Sequence, residues 1–233
     1  MNNPLDNTNK IQVGSLTDEC YKRIKQDILT GKLGWGERLN VINLAETYGI
    51  SRSPVIKAIE RLAMEQLVQI IPNVGSFVRI PTKEDIKEVT EIRLMLETTM
   101  CRLAYEKNKG KLLADLANID SMIEKSATSD NKISFEAFLE YDHAFHLTFP
   151  KHADNGQMAA YYDSIRNQIE LFRTKTYYKT YIDLAIDRHH GIIKSLSEGR
   201  LEDAVCMLQT HISEVEQEII ESIDRSDTVK DYQ

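Results

Sequence analysis

Cysteine is scarce in this 233-residue chain: Cys20, Cys101 and Cys206 are odd in number, far apart, and form no Cys-x-x-Cys pair. A disulfide framework is thereby excluded and a thiolate zinc site disfavoured; the pattern fits thiols kept reduced. Long apolar runs are missing as well. No stretch approaches the roughly 18 apolar residues of a membrane span, and Met1 to Val13 is polar, without an apolar signal region. A cytoplasmic protein with no membrane partner is expected. Positive charge is also in short supply, with 29 Lys/Arg against 36 Asp/Glu and a net charge of −7. Over the whole chain that balance argues against nucleic acid, but it is unevenly spread. Residues 1–80 carry ten Lys/Arg and eight Asp/Glu, and the remainder carries 19 and 28. Any phosphate-facing surface therefore belongs in the amino-terminal third.

With 42% hydrophobic and 28% charged residues, the chain is globular and long enough for two small domains, each with its own core. After a polar arm, Tyr21, Ile24, Ile28 and Leu29 keep helical spacing behind Ser15 or Thr17 as a cap, and Gly31, Gly34 and Gly36 end the segment. A second short helix fits Val41 to Tyr48, with Leu44 and Ala45 inward and Gly49 as its stop. Ser51 or Ser53 can cap a third helix, with Pro54 in its first turn and Val55, Ile59 and Leu62 as its buried stripe. Two helices across a short Gly-containing turn form a helix-turn-helix, whose second helix enters the major groove. Leu67 to Ile71 and Ser76 to Ile80, around Pro72-Asn73-Val74-Gly75, read as a β-hairpin, which completes a winged helix.

Arg52 is the candidate for a bidentate guanine contact. Ser51, Ser53 and Lys57 are candidates for phosphates, and Arg38, Asn73 and Gly75 complete the proposed DNA-binding set near the wing. The bland alternative is a winged helix that serves only as a protein-interaction module.

Pro81 follows the wing, and Thr82 can cap a new helix with Glu84 and Asp85 in its first turn. Beyond it the chain shows no strand alternation and reads as six or seven helices. The expected fold is mainly α: residues 1–80 a winged helix with its arm, 81–225 an all-α bundle, and 226–233 a polar tail.

In the bundle, Asp142 and His146 lie four apart on a face otherwise formed by Phe138, Leu139, Phe145 and Phe149. A carboxylate in such surroundings needs a partner, and a metal ion suits an i, i+4 Asp/His pair. His189 lies 10 residues before Gly199 and His211 lies 12 after it, so the two reach similar heights on an antiparallel pair. His211 shares a stripe with Ala204, Leu208, Val215 and Ile219, and His189 with Ile186, Ile193 and Leu196. A lone histidine on an apolar face is more often an ordinary core residue; three imidazoles and a carboxylate converging suit a divalent Zn, Ni or Mn ion. His190 is the runner-up to His189, while His143 and His152 read as surface residues, the latter in a polar turn after Pro150. Tyr161, Tyr162, Tyr177, Tyr178 and Tyr181 stay unassigned between pocket and core.

Gly31-Lys32-Leu33-Gly34-Trp35-Gly36-Glu37-Arg38-Leu39, Leu44 to Val55, and Gly75-Ser76-Phe77-Val78 resemble the DNA-binding domain of the GntR family of bacterial transcription regulators. Glu91 to Glu97, Asp142-x-x-x-His146, His189 ahead of Ile192-Ile193, and His211 resemble the all-helical FCD effector domain of its FadR subfamily. Two departures stand out, Ile56 and Val74, at positions where the family pattern often carries arginine. Lys57 is a point charge and cannot copy that arginine's bidentate fork. The resemblance assigns effector binding and dimerisation to residues 81–225. It implies a homodimer on a double-stranded DNA operator, a divalent metal on the four ligands, and a small carboxylate effector, with Arg93 as its candidate counter-charge. The competing reading of Arg93 is a surface arginine paired with Glu97. Competing functions are a regulator that senses the ion itself, a purely structural metal, and a metalloenzyme; the absence of His-Glu-x-x-His disfavours the last.

Overall fold

The computed structural model describes residues 16–126, 133–174 and 179–230 and divides the chain into two compact units, with the boundary between Ile80 and Pro81. Ser15, Tyr177 and Tyr178 lie outside the described residues, as do the polar arm and residues 231–233; nothing is described of the Tyr181 side chain.

In the first unit, α1 (Leu16–Leu29) and α2 (Val41–Tyr48) pack on α3 (Arg52–Met64). The apolar stripes named above form its core, with Ile24, Ile28, Val55, Ala58 and Leu62 at 0% exposure. Asn40, not foreseen as a cap, accepts from the Ile42 and Asn43 amides, and Gly49 ends α2 in the left-handed conformation at φ 65°. Ser51 holds the cap position of α3 by its backbone, but its side chain makes no capping hydrogen bond. Strands β1 (Val68–Ile71) and β2 (Gly75–Val78) pair antiparallel, Val68 opposite Val78 and Ile71 opposite Gly75. Pairing thus stops short of Ile80. The turn has Pro72 at its second position and Asn73 at its third with φ 62°, closed by Val74 N–H donating to Ile71 O at 3.1 Å.

Gly75 sits at φ 149°, and a Cβ there would lie 3.1 Å from Arg38 Nε. The backbone favours glycine, and any side chain would oblige the Arg38 guanidinium to shift by a few tenths of an ångström. Gly75→Ala is expected to destabilise the first unit by about 1–3 kcal/mol and leave the second unit's melting unchanged, which differential scanning calorimetry checks.

The second unit contains α4 (Lys83–Lys125), α5 (Phe135–His152), α6 (Gly156–Arg173), α7 (Lys179–Ser197) and α8 (Leu201–Lys230). Helix α4 packs against the other four. Thr82 and Asp85 start it with a reciprocal capping box at 2.8 and 3.0 Å. Asn108 breaks it at φ −137°, where its side chain donates to the His152 carbonyl at 2.9 Å. With that break the unit holds six helical pieces among the described residues. Ser134 caps α5 and Asn155 caps α6.

His152 corrects the surface reading. Helix α5 runs through Pro150 to His152, which is 7% exposed and lies 2.8 Å from Asp115 Oδ2. A proline in the last turn costs a single helical hydrogen bond, and the buried Phe145/Phe149 stripe with the Asp115 and Asn108 contacts holds that turn. His143 is partly exposed and pairs with Glu170. All three cysteines are free; burial pushes the Cys101 thiol up to about 12, so it is inert.

Candidate DNA-binding face and metal centre

In the first unit, Ser51, Arg52, Ser53, Ile56 and Lys57 are exposed along the amino-terminal half of α3. This is the end that a recognition helix presents to base edges in the major groove. Asn73 is exposed at the tip of the hairpin. Arg38 ties the wing in place, its Nη2 donating to the Val74 carbonyl at 2.9 Å and its fork covering Gly75. The guanidinium stays exposed, so tethering the wing and meeting a phosphate are compatible.

In the second unit, α5, α7 and α8 bring four polar groups to one buried point. Asp142, His146, His189 and His211 are between 0% and 4% exposed, and one ligand atom from each lies within 4.8 Å of all the others. The turn at Gly199, with φ 81°, sets α7 against α8 and puts His189 Nε2 3.1 Å from His211 Nε2. His211 Nε2 is 3.4 Å from His146 Nε2. Asp142 Oδ1 lies 3.8 Å from His146 Nε2 and 3.9 Å from His189 Nε2. Nitrogens held about 2.0–2.1 Å from one ion are roughly 3.0–3.4 Å apart at right to tetrahedral angles. The imidazole separations fit. His190 points elsewhere, to Asp120 at 2.8 Å.

The surroundings fix each ligand. The Phe145 ring stacks on His189 with centroids 3.9 Å apart and stands edge-on to His146. Arg173 Nη1 donates to Asp142 Oδ2, leaving Oδ1 turned to the histidines. Glu97, at 0% exposure, lies 2.6 Å from His146 Nδ1 and 2.6 Å from Arg93 Nε. Tyr162 is hydrogen-bonded to the same carboxylate. Arg93 Nη2 lies 3.0 Å from His146 Nε2. That Nη2 is also 3.3 Å from Nδ1, so it rests against the ring. The Glu97 carboxylate at Nδ1 can only accept, so Nδ1 carries the proton and Nε2 the lone pair. That tautomer is the one ligation through Nε2 needs.

Electrostatics agree with the tautomer. Burial pushes His189 and His211 well below the ordinary histidine range, their neighbouring imidazoles and the two arginines adding to it, so both rings are neutral. Burial alone would raise the Glu97 carboxyl, but Arg93 and His146 together outweigh it and hold it at about 2. Tyr162 goes well above its usual value by burial and then by the ionised Glu97.

The four residues singled out by spacing in the sequence meet in the fold, whereas Glu97 as an orienting group, Arg173 and Tyr162 were not foreseen. Arg93, expected at the site, is 3% exposed; the surface alternative is wrong, though its pairing with Glu97 is real. Glu97 had a signal, since it shares one face of α4 with Arg93, Met100, Cys101 and Ala104, all buried. Arg173 comes from α6 and had none. Tyr161, beside Tyr162, is 64% exposed.

A winged helix followed by an all-helical unit is the architecture of a class of DNA-binding transcription regulators. The chain matches the FCD domain over residues 88–214 and the bacterial regulatory proteins of the gntR family over residues 16–78. It belongs to the GntR family of bacterial transcription regulators, in the group that carries an FCD domain. It is 26% identical over 193 residues to the Nta operon transcriptional regulator of Aminobacter aminovorans, covering 81% of this chain and 87% of that one. Among solved structures, a GntR transcriptional regulator from Rhodococcus sp. RHA1 is similar at TM-score 0.76 and 22% identity, covering 89% of this chain and 99% of the other. E. coli McbR/YncC is similar at TM-score 0.74 and 20% identity, covering 90% and 99%. The families and relatives are transcription regulators, not enzymes, which removes the metalloenzyme reading. No helix among the described residues is long and apolar enough to cross a membrane.

Proposed function

We propose that Asp142, His146, His189 and His211 hold one divalent ion, Zn, Ni or Mn, and that the loaded site binds a small carboxylate effector that alters how a homodimer of this regulator engages its operator. The observation that supports this most is the convergence of four buried ligand atoms within 4.8 Å. When bound, the ion supplies positively charged open positions for an anionic oxygen. The chain's residues do the rest: Glu97 orients His146, Arg173 orients Asp142, and Phe145 fixes the His189 ring. An effector changes operator affinity only by favouring one arrangement of the DNA-binding domains over another.

Metal analysis of the purified chain beside Asp142→Ala, His146→Ala, His189→Ala and His211→Ala tests the site. About one divalent ion per chain, lost in the variants, is the expected result. No ion after incubation with Zn, Ni or Mn sinks the reading. If the ion alone shifts operator binding, it is itself the signal; if the variants lose their fold rather than their response, the ion is structural.

On the DNA side, Arg52 reads a base while Ser51, Ser53 and Lys57 hold phosphates, with Arg38, Asn73 and Gly75 placing the wing against the backbone or minor groove. Arg52→Ala is expected to cost about 1–3 kcal/mol at one base position and to relax specificity there. Lys57→Ala is expected to weaken all sequences alike and to lower the salt dependence by about one ion. Titrations of operator and point-mutated operators at several salt concentrations separate the two.

A further inference from the structure

The buried charges of the helical unit gather in one place. Among the described residues its buried acidic, basic and histidine side chains are Arg93, Glu97, Asp142, His146, His152, Arg173, His189 and His211. All but His152 belong to the cluster described above. Two carboxylates face two guanidiniums, Glu97 with Arg93 at 2.6 Å and Asp142 with Arg173. Imidazoles that lend a lone pair to an ion are neutral by that act. The protein's own charges in the pocket therefore cancel, and a divalent ion adds two positive charges that no other buried side chain among the described residues balances. Net charge in a dry interior is costly, and an uncompensated ion draws a counter-ion in with it.

Arg93 makes the demand local. Its Nη2 lies 3.0 Å from His146 Nε2 and 3.3 Å from Nδ1, against the ring and off the lone-pair axis of either nitrogen. The ring leaves that donor poorly satisfied. The guanidinium keeps its Nε bond to Glu97 and stands beside the ligand cluster with an Nη2 donor that a better-placed acceptor would satisfy. An oxyanion on the ion lies within its reach.

Building on the four-ligand reading, we infer that the effector of this site is a small dianion carrying its two negative charges on oxygen, with Arg93 donating to the group that meets the ion. Dicarboxylates and inorganic phosphate share that chemistry; matched monocarboxylates do not.

The test uses the full-length chain loaded with Ni, its metal content measured on the same sample, and calorimetric titration near pH 7.5 with malonate and succinate, propionate and butyrate, and inorganic phosphate. The dicarboxylates are expected to bind at least tenfold tighter than the monocarboxylates of equal length. Phosphate binding tightest of all would also support a dianion pocket and would name phosphate as the source. Arg93→Gln should shrink the preference to within about threefold while Ni stays near one per chain, and Arg93→Lys should keep most of it. The wild-type ratio and Arg93→Lys still decide the matter if Arg93→Gln does not fold. Monocarboxylates binding as tightly to the Ni-loaded chain, no anion binding it, or an undiminished ratio in Arg93→Gln would overturn the inference alone. Failure of the wild-type chain to take up Ni would overturn the four-ligand reading and the inference with it.

Discussion

Glu97→Ala is expected to lower the stability of the helical unit by about 3–5 kcal/mol and to weaken divalent-metal binding by about 10–100-fold. The carboxylate is 0% exposed and accepts from Arg93, His146 and Tyr162. Removing it strands three donors in an interior that water does not reach. One is a guanidinium at 3% exposure, whose charge then lacks its partner. Breaking a buried pair by deleting one member costs more than the pair contributes, because the survivor keeps its full desolvation penalty. The effect on metal comes through His146. Without an acceptor at Nδ1, its proton can move to Nε2 and the ring can turn. Glu97→Gln keeps the shape and one acceptor oxygen but turns an amide donor toward a neighbouring donor, so an intermediate loss is expected. Chemical unfolding of the helical unit, with metal affinity measured by competition against a chelator, reads both effects. A stability within about 1 kcal/mol of wild type together with unchanged metal affinity would show that Glu97 is a passenger.

The helices and hairpin of the first unit were legible because each carries a local signal that tertiary structure has no reason to override. Gly49 stops α2, Pro54 opens α3, and Asn73 and Gly75 turn the hairpin, each through backbone geometry. The buried Asp/His cluster was legible for a different reason: i, i+4 spacing fixes Asp142 to His146, and the position of Gly199 fixes His189 to His211. What stayed hidden were residues whose role depends on how distant helices meet. Arg173 reaches Asp142 from 31 positions away and Glu97 reaches His146 from 49 away. No periodicity encodes such pairs. His152 departs from its expected place because Pro150 reads as a helix stop, whereas a proline so near a helix end removes only one hydrogen bond, which packing around Phe145 and Phe149 readily offsets.

With metal stripped by a chelator, the helical unit is expected to lose stability steadily as pH falls below about 6.5, the ordinary histidine value. Burial lowers His189 and His211 well below that value, their charged and imidazole neighbours adding to it. Below pH 6.5 the unfolded chain therefore takes up protons at these two positions that the folded chain refuses. Protons then favour the unfolded state, so the contribution is complete above the unfolded value and shrinks as pH drops toward the folded ones. Each such group costs about 1.4 kcal/mol per pH unit across that window, or about 3 kcal/mol per unit for the two. Two pH units into that window remove about 6 kcal/mol, enough to unfold a chain at the low end of the typical total of about 5–15 kcal/mol and to lower markedly the melting temperature of one at the high end. Glu97 acts in a lower window: held at about 2, it gives stability that is complete above 4.5 and disappears as pH falls through the folded value. Restoring Zn or Ni should move the loss to lower pH, because ion and proton compete for the same nitrogens and the ion binds only the folded arrangement. Calorimetric melting between pH 8 and 4.5, with and without chelator, checks this. A flat melting temperature from pH 8 to 5 in the stripped chain would mean that the two imidazoles are not held neutral and buried, and the metal centre would have to be rebuilt from that fact.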